Sequence, residues 1–271
     1  MPVASFTIDL APDFDVGPLT IAWHGLMTAV GILVALWLAL RFARECKLVG
    51  DLVTRAAVTM ALAGLLGSRA YYLVENDPGA LVRPGDWFST NGFAFYGAVL
   101  AGVPAAWLVL RETAGRVRYL DALAAGFPLG MAVGRTGDLI LGEHYGRPSD
   151  LPWAVGYSHP DAAVPQTGVA YESGALYEVA ACALIFALIW PLRHRFKKAG
   201  TLLCTVVALY AIARFAIFFA VRDADVVAFG LRQAQLTSLV LLAIAIGVLV
   251  AIRRAARTPF RVMPRRGQGI N

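Results

Sequence analysis

The chain has 271 residues, 58% of them hydrophobic and 15% charged, with a formal net charge of +6. Soluble globular domains carry about 25% charged residues, so this composition excludes an ordinary water-soluble domain and points to a lipid-facing surface. The positive balance is spread between apolar runs as a topology signal and offers nothing for nucleic acid to recognise.

The first 18 residues hold Asp9, Asp13 and Asp15 but no Lys or Arg. They lack the basic n-region of a cleavable signal peptide, so the first apolar run is expected to remain as an anchor. Runs long enough to cross roughly 30 Å of hydrocarbon follow near 19–40, 52–74, 92–110, 120–141, 172–192, 201–221 and 234–252. Between them, the segments 41–55, 111–118, 193–198 and 253–266 hold 17 of the 24 Lys and Arg residues, against four in 75–91, 142–171 and 222–233. Over seven spans that alternation puts the N-terminus outside and the C-terminus in the cytoplasm. The expected fold is an all-α polytopic membrane protein of about seven transmembrane helices, N-out and C-in. It reads as a single membrane-embedded domain over 1–271, without a linker, low-complexity segment or internal repeat. The outer connection at about 142–174 combines Pro148, Pro152, Pro160 and Pro165 with Tyr145, Trp153 and Tyr157. Its aromatic content predicts an ordered loop seated at the interface. The chain ends in a basic cytoplasmic tail, 253–271.

Cys46, Cys182 and Cys204 have no CxxC spacing, and the sequence shows neither a disulfide framework nor a metal-ligand cluster. Three arginines, Arg69, Arg135 and Arg214, fall inside or at the ends of apolar runs. Each costs at least ~2.5 kcal/mol in hydrocarbon unless it meets a partner or a wet cavity. Two readings stay open: pairing with carboxylates such as Asp138, Glu143 or Glu178, or a shared cavity in which guanidinium forks hold a phosphate. The densest polar stretch is 134–147, where Gly134, Gly137 and Gly142 surround Arg135, Asp138 and Glu143. Arg135 and Asp138 share a helix face, and Glu143 approaches it if the helix loosens near Gly142. His144 and His159 read as exposed loop residues.

The run GRTGDLILGEHYGRPSDLPW at 134–153 resembles the signature of the prolipoprotein diacylglyceryl transferase family, approximately G-R-x-G-N-F-x-N-x-E-x-x-G-R-x-[ST]-D-x-P-W. The resemblance extends along most of the chain, through HGLM at 24–27, GSRAYY at 67–72, FYGA at 95–98, LYE at 176–178, Arg214-Phe215 and Gln235-Leu236. It implies an enzyme of the bacterial inner membrane, with its site toward the outer leaflet. Such an enzyme moves the diacylglyceryl group of phosphatidylglycerol to the lipobox cysteine thiol of a secreted precursor and releases glycerol phosphate. No cofactor or metal is implied. The partners are an anionic phospholipid and the precursor protein. Carried onto this sequence, the motif points to Arg135 as phosphate anchor and Arg214 as a second one. His24 and Tyr96 stand as candidate base and oxyanion donor. Arg69, Gly137, Asp138, Glu143, Gly146, Arg147, Tyr177, Glu178 and Gln235 are candidate substrate-binding positions, with Glu143 orienting Arg135 or touching the lipid glycerol.

The chain also departs from the pattern. Asp138 stands where the signature has Asn, Phe218 where it has a Glu after R-F, and Glu172 and Ala175 where it has His and Gln. The swap of Tyr for His at His24, with His for Tyr at Tyr96, keeps one imidazole and one phenol if both enter one cavity. An anion at position 138 near a phosphate site is unfavourable unless it is protonated or tied to an arginine. These changes leave room for a relative with another acceptor, or for a non-catalytic phospholipid-binding membrane protein. A small transporter would show paired inverted repeats, and the sequence has none.

Overall fold

A computed structural model describes residues 6–87, 95–221 and 225–255. Among them are seven α-helices: α1 (Trp23–Glu45), α2 (Gly50–Asn76), α3 (Phe95–Leu110), α4 (Arg116–Leu141), α5 (Gly174–Leu192), α6 (Thr201–Ile217) and α7 (Gln233–Ala255). Each falls on one of the apolar runs. The ends differ because hydropathy registers the lipid-compatible stretch, while α1, α4 and α7 continue into arginine-bearing turns. Helices α1, α2 and α7, and α5 with the turn after it, are long and apolar enough to cross a membrane. Helix α6 and the Gly97–Leu110 part of α3 are shorter apolar helices. Helix α4 carries Arg116, Arg118, Asp121, Arg135 and Asp138, so its composition alone does not mark it as a span.

Helix α4 lies at the centre, packed against α1, α5 and α6, while α2 runs along α3 and α6 along α7. Small residues make the α1–α4 contact possible. A Cβ on Gly31 would sit 2.4 Å from the Gly130 carbonyl oxygen, so the two backbones touch. Such seams are how helices associate where apolar burial alone gives no preference over lipid. At one end, Phe42, Val53, Leu110, Leu202 and Val206 form a packed core. There the fully buried Asp121 accepts from Gly200 N and Leu203 N, both at 2.9 Å, and from Arg118 Nη1 at 3.2 Å. It thereby satisfies the first turn of α6, whose amides have no intrahelical acceptor.

The opposite end collects the starts of α1, α5 and α7 and the ends of α4 and α6, and carries three small sheets. A hairpin of β2 (Asp13–Val16) and β3 (Leu19–Ala22) leads into α1, and one of β7 (Val226–Ala228) and β8 (Leu231–Arg232) leads into α7. The connection from α4 to α5 supplies β4 (Tyr145–Pro148), β5 (Val155–Tyr157) and β6 (Ala170–Ser173). With β1 (Phe6–Ile8) these form a four-stranded sheet in the order β1-β5-β6-β4. The 142–174 connection is therefore ordered, and the all-helical expectation lacked its strands. Two to four residues are too few for an alternating pattern to register, and β1 joins β5 in parallel across most of the first four helices. The basic tail beyond residue 255 lies outside the described residues.

Candidate active site at the sheet-bearing end

The last turn of α4 sets the site. Gly142 ends the helix in the left-handed region at φ 81°, and Glu143 N returns to Asp138 O at 3.1 Å. His144 follows at φ 59°, and its carbonyl accepts from Gly174 N at 2.8 Å, tying the turn to the start of α5. Glu143 and His144 are thus folded back over Asp138 and Arg135. On the α1 side, a Cβ at Gly137 would lie 2.7 Å from His24 Cα. The missing side chain lets His24 stand directly beside Asp138.

A continuous polar chain runs through this end. His24 Nδ1 is hydrogen-bonded to Asp138 Oδ1, and Asp138 Oδ2 accepts from Arg135 Nη1. Arg135 Nε lies 3.0 Å from Glu178 Oε2. The other Glu178 oxygen receives Arg214 Nη1 at 2.8 Å and the Tyr210 hydroxyl at 2.5 Å. His144 Nε2 stands 3.2 Å from Arg135 Nη1. Asp138 and Glu178 are almost fully buried, whereas 43% of the His24 side chain is exposed, so the chain runs from an open edge into the interior. Buried ions held beside opposite charges are what low-dielectric surroundings require; the Arg135–Glu178 contact is an ion pair by distance, without hydrogen-bond alignment at Nε.

Of the other candidate residues, some converge and some do not. Arg69 is buried on α2 and donates through Nε to the Asp86 carbonyl at 3.0 Å, in the 3-10 turn at Pro84–Trp87. Its described contacts also include the Tyr72 ring, 5.4 Å away, so its surroundings differ from those of Arg135 and Arg214. Tyr177, in the first turn of α5, binds the preceding connection: its hydroxyl accepts from Trp153 Nε1 at 3.0 Å and donates to Glu172 at 3.1 Å. Gly146 is packed where a Cβ would lie 2.7 Å from the Ala220 carbonyl, and Arg147 is exposed. Gln235 is buried at the α6–α7 joint, accepting from Arg232 N at 3.0 Å. Tyr96 opens α3, and its side chain lies outside the described residues.

One sequence expectation needs correction. His144 is no exposed loop residue, because the left-handed turn directs its ring onto Arg135. The described contacts of Arg135 include Asp138, Glu178 and His144, while Glu143 lies beside His24 and Asp138. One atom each of His24, Asp138 and Glu143 lie within 4.8 Å of one another. A cation could span that distance, but both Asp138 oxygens are engaged and the Arg135 guanidinium beside them repels a metal. No local spacing signals this cluster, because His24 lies 114 residues from Asp138.

The family model described as prolipoprotein diacylglyceryl transferase matches residues 13–251. The chain belongs to that family. Its relatives include phosphatidylglycerol–prolipoprotein diacylglyceryl transferases from Dehalococcoides mccartyi, 30% identical over 92% of this chain and 96% of the relative, and from Legionella pneumophila, 32% identical over 86% and 93%. A third, from Thermosynechococcus vestitus, is 30% identical over 86% of this chain and 88% of its own.

Against the family signature, the departures acquire physical partners. Asp138, in place of Asn, is held by Arg135 and by His24, itself in place of Tyr. Phe218, in place of Glu, lays its ring 4.9 Å from the Arg214 guanidinium and 6.5 Å from the His144 ring. A cation–π contact thus stands where the signature would supply a carboxylate. Glu172, in place of His, braces Tyr177.

Proposed function

We propose that this chain transfers the diacylglyceryl group of phosphatidylglycerol to the cysteine thiol of a lipobox-bearing precursor, releasing glycerol phosphate. Its seven helices act as spans with the N-terminus outside, and the polar chain faces the outer leaflet of the bacterial inner membrane. The observation that carries this reading is the sharing of Glu178 by Arg135 and Arg214. Two guanidiniums held at fixed separation by one buried carboxylate form a preorganised counter-charge for a departing phosphate. In a water-poor site such groups stabilise developing negative charge without reorganising.

Chemically, the thiol sulfur attacks the glycerol carbon that bears the phosphate. The carbon–oxygen bond breaks, its electron pair leaves on the phosphate oxygen, and the thiol proton must be taken up by a base. Arg135 and Arg214 receive the phosphate, and Tyr210 fixes the shared carboxylate. Purified protein in detergent, supplied with labelled phosphatidylglycerol and a lipobox peptide, tests this beside Arg135→Ala. Lipidated peptide and glycerol phosphate are expected from the natural chain, with a loss of at least 100-fold in the variant. A different acceptor is the second reading, favoured by Phe218 covering Arg214 and by Glu172 in place of the signature His. It predicts glycerol phosphate release without peptide lipidation. Lipid binding with neither product would leave a non-catalytic relative.

A further inference from the structure

His24 and Asp138 are both departures from the family signature, they come from different helices, and they touch. Asp138 is buried and held by the Arg135 guanidinium, which favours the carboxylate over the acid. A carboxylate only accepts hydrogen bonds, so the nitrogen facing it, His24 Nδ1, carries the proton. The neutral ring then has its lone pair on Nε2. The second nitrogen of a histidine is set in this way by whatever holds the first. With 43% of the His24 side chain exposed, the residue is not sealed among its neighbours as Asp138 is. Gly137 fixes its distance from α4, since any side chain there would push His24 away.

We propose that His24 and Asp138 form a carboxylate-imidazole dyad in which His24 Nε2 takes the proton of the acceptor thiol and Asp138 is the positioning residue. This deepens the transferase reading and rests on it. The thiol proton moves to Nε2 as sulfur bonds to the glycerol carbon and the phosphate leaves with the carbon–oxygen electron pair. The imidazolium, stabilised by Asp138, then returns its proton to the released phosphate monoester or to water. Arg135 links the two halves of the reaction, because its Nη1 orients Asp138 and its Nε side faces Glu178, shared with Arg214. The paired departure is thus 24 with 138. A Tyr at 24 with an Asn at 138 would make a neutral contact, whereas His with Asp makes a base.

The test uses the full-length protein in detergent, labelled phosphatidylglycerol and a lipobox peptide, with His24→Gln, Asp138→Asn and the double variant. The charged groups facing the ring are Asp138 and Arg135 from α4 and Glu143 just beyond it. Each single variant is expected to lower kcat by on the order of 100-fold near neutral pH, with KM for the lipid little changed. The double variant should fall no further than the worse single one, because the pair acts as a unit. The deficit should shrink as pH approaches the thiol reference value of about 8.5, where thiolate forms without a base. Imidazole added to His24→Ala should restore part of the rate, a readout that a purely structural histidine would not move and that does not depend on Asp138 variants folding. Deficits that are equal at every pH, additive losses, or no imidazole rescue in an otherwise active protein overturn the dyad alone. A natural chain that makes no lipidated peptide overturns the transferase reading and the dyad with it.

Discussion

Glu178 Oε1 lies 2.8 Å from Arg214 Nη1, while its other oxygen lies 3.0 Å from Arg135 Nε, so one carboxylate on α5 joins α4 to α6. Removing it leaves two buried cations facing each other. Glu178→Ala is expected to cost about 3–5 kcal/mol, the range for breaking a buried ion pair. Glu178→Gln keeps hydrogen-bonding capacity and should cost less. Thermal unfolding in detergent, alongside the lipidation assay, reads both effects.

Gly137→Ala introduces a methyl group where 2.7 Å separates the new Cβ position from His24 Cα. Backbone cannot give way cheaply, so α1 must shift from α4, at a cost of about 1–3 kcal/mol. Activity should fall further than stability, because the shift moves His24 away from Asp138. Gly247→Ala in α7 meets nothing within 4 Å. It should leave both unchanged or gain slightly through helix propensity.

Tyr157 in β5 is 2% exposed, and its hydroxyl donates to the Leu139 carbonyl at 2.8 Å near the end of α4. Burial pushes this phenol well above its usual range. A folded-state value above the unfolded one contributes stability that is complete below about pH 10 and is lost as pH rises beyond it. The natural chain should therefore lose stability above about pH 10. Tyr157→Phe should lie about 1 kcal/mol lower at neutral pH and show a flatter alkaline limb. Thermal unfolding followed against pH distinguishes the two.

At the other end of the bundle, Asp121→Ala removes the acceptor for Gly200 N and Leu203 N and unpairs part of Arg118. The expected loss is about 3–5 kcal/mol in unfolding free energy, with lipid KM and the rate per folded molecule unaltered. Asp138→Asn should show the reverse pattern, a catalytic loss that exceeds the stability loss. Measuring active fraction and unfolding on the same preparations separates these two buried aspartates.

The helices were legible in the sequence because each falls on a long apolar run, interrupted only where a charge finds a partner, and four of them are long and apolar enough to cross a membrane. The family was legible for a similar reason, since the 134–153 run keeps its residues at fixed local spacing. Local spacing also put Arg135 and Asp138 on one face. What the tertiary structure alone decided is which distant groups meet. Glycines at 31, 130 and 137 let α1 lie on α4 closely enough for His24 to reach Asp138, a contact between residues 114 apart that no local spacing encodes. The left-handed residues at 142 and 144 fold His144 onto Arg135, a consequence of backbone dihedrals that a pattern of residue types does not encode. Glu178 joins Arg135 to Arg214, and the Asp86 turn engages Arg69, because a buried cation takes the acceptor that packing brings to it. Sequence fixes which charges must be satisfied in a low-dielectric interior; the packing of the helices selects the partner that satisfies each one.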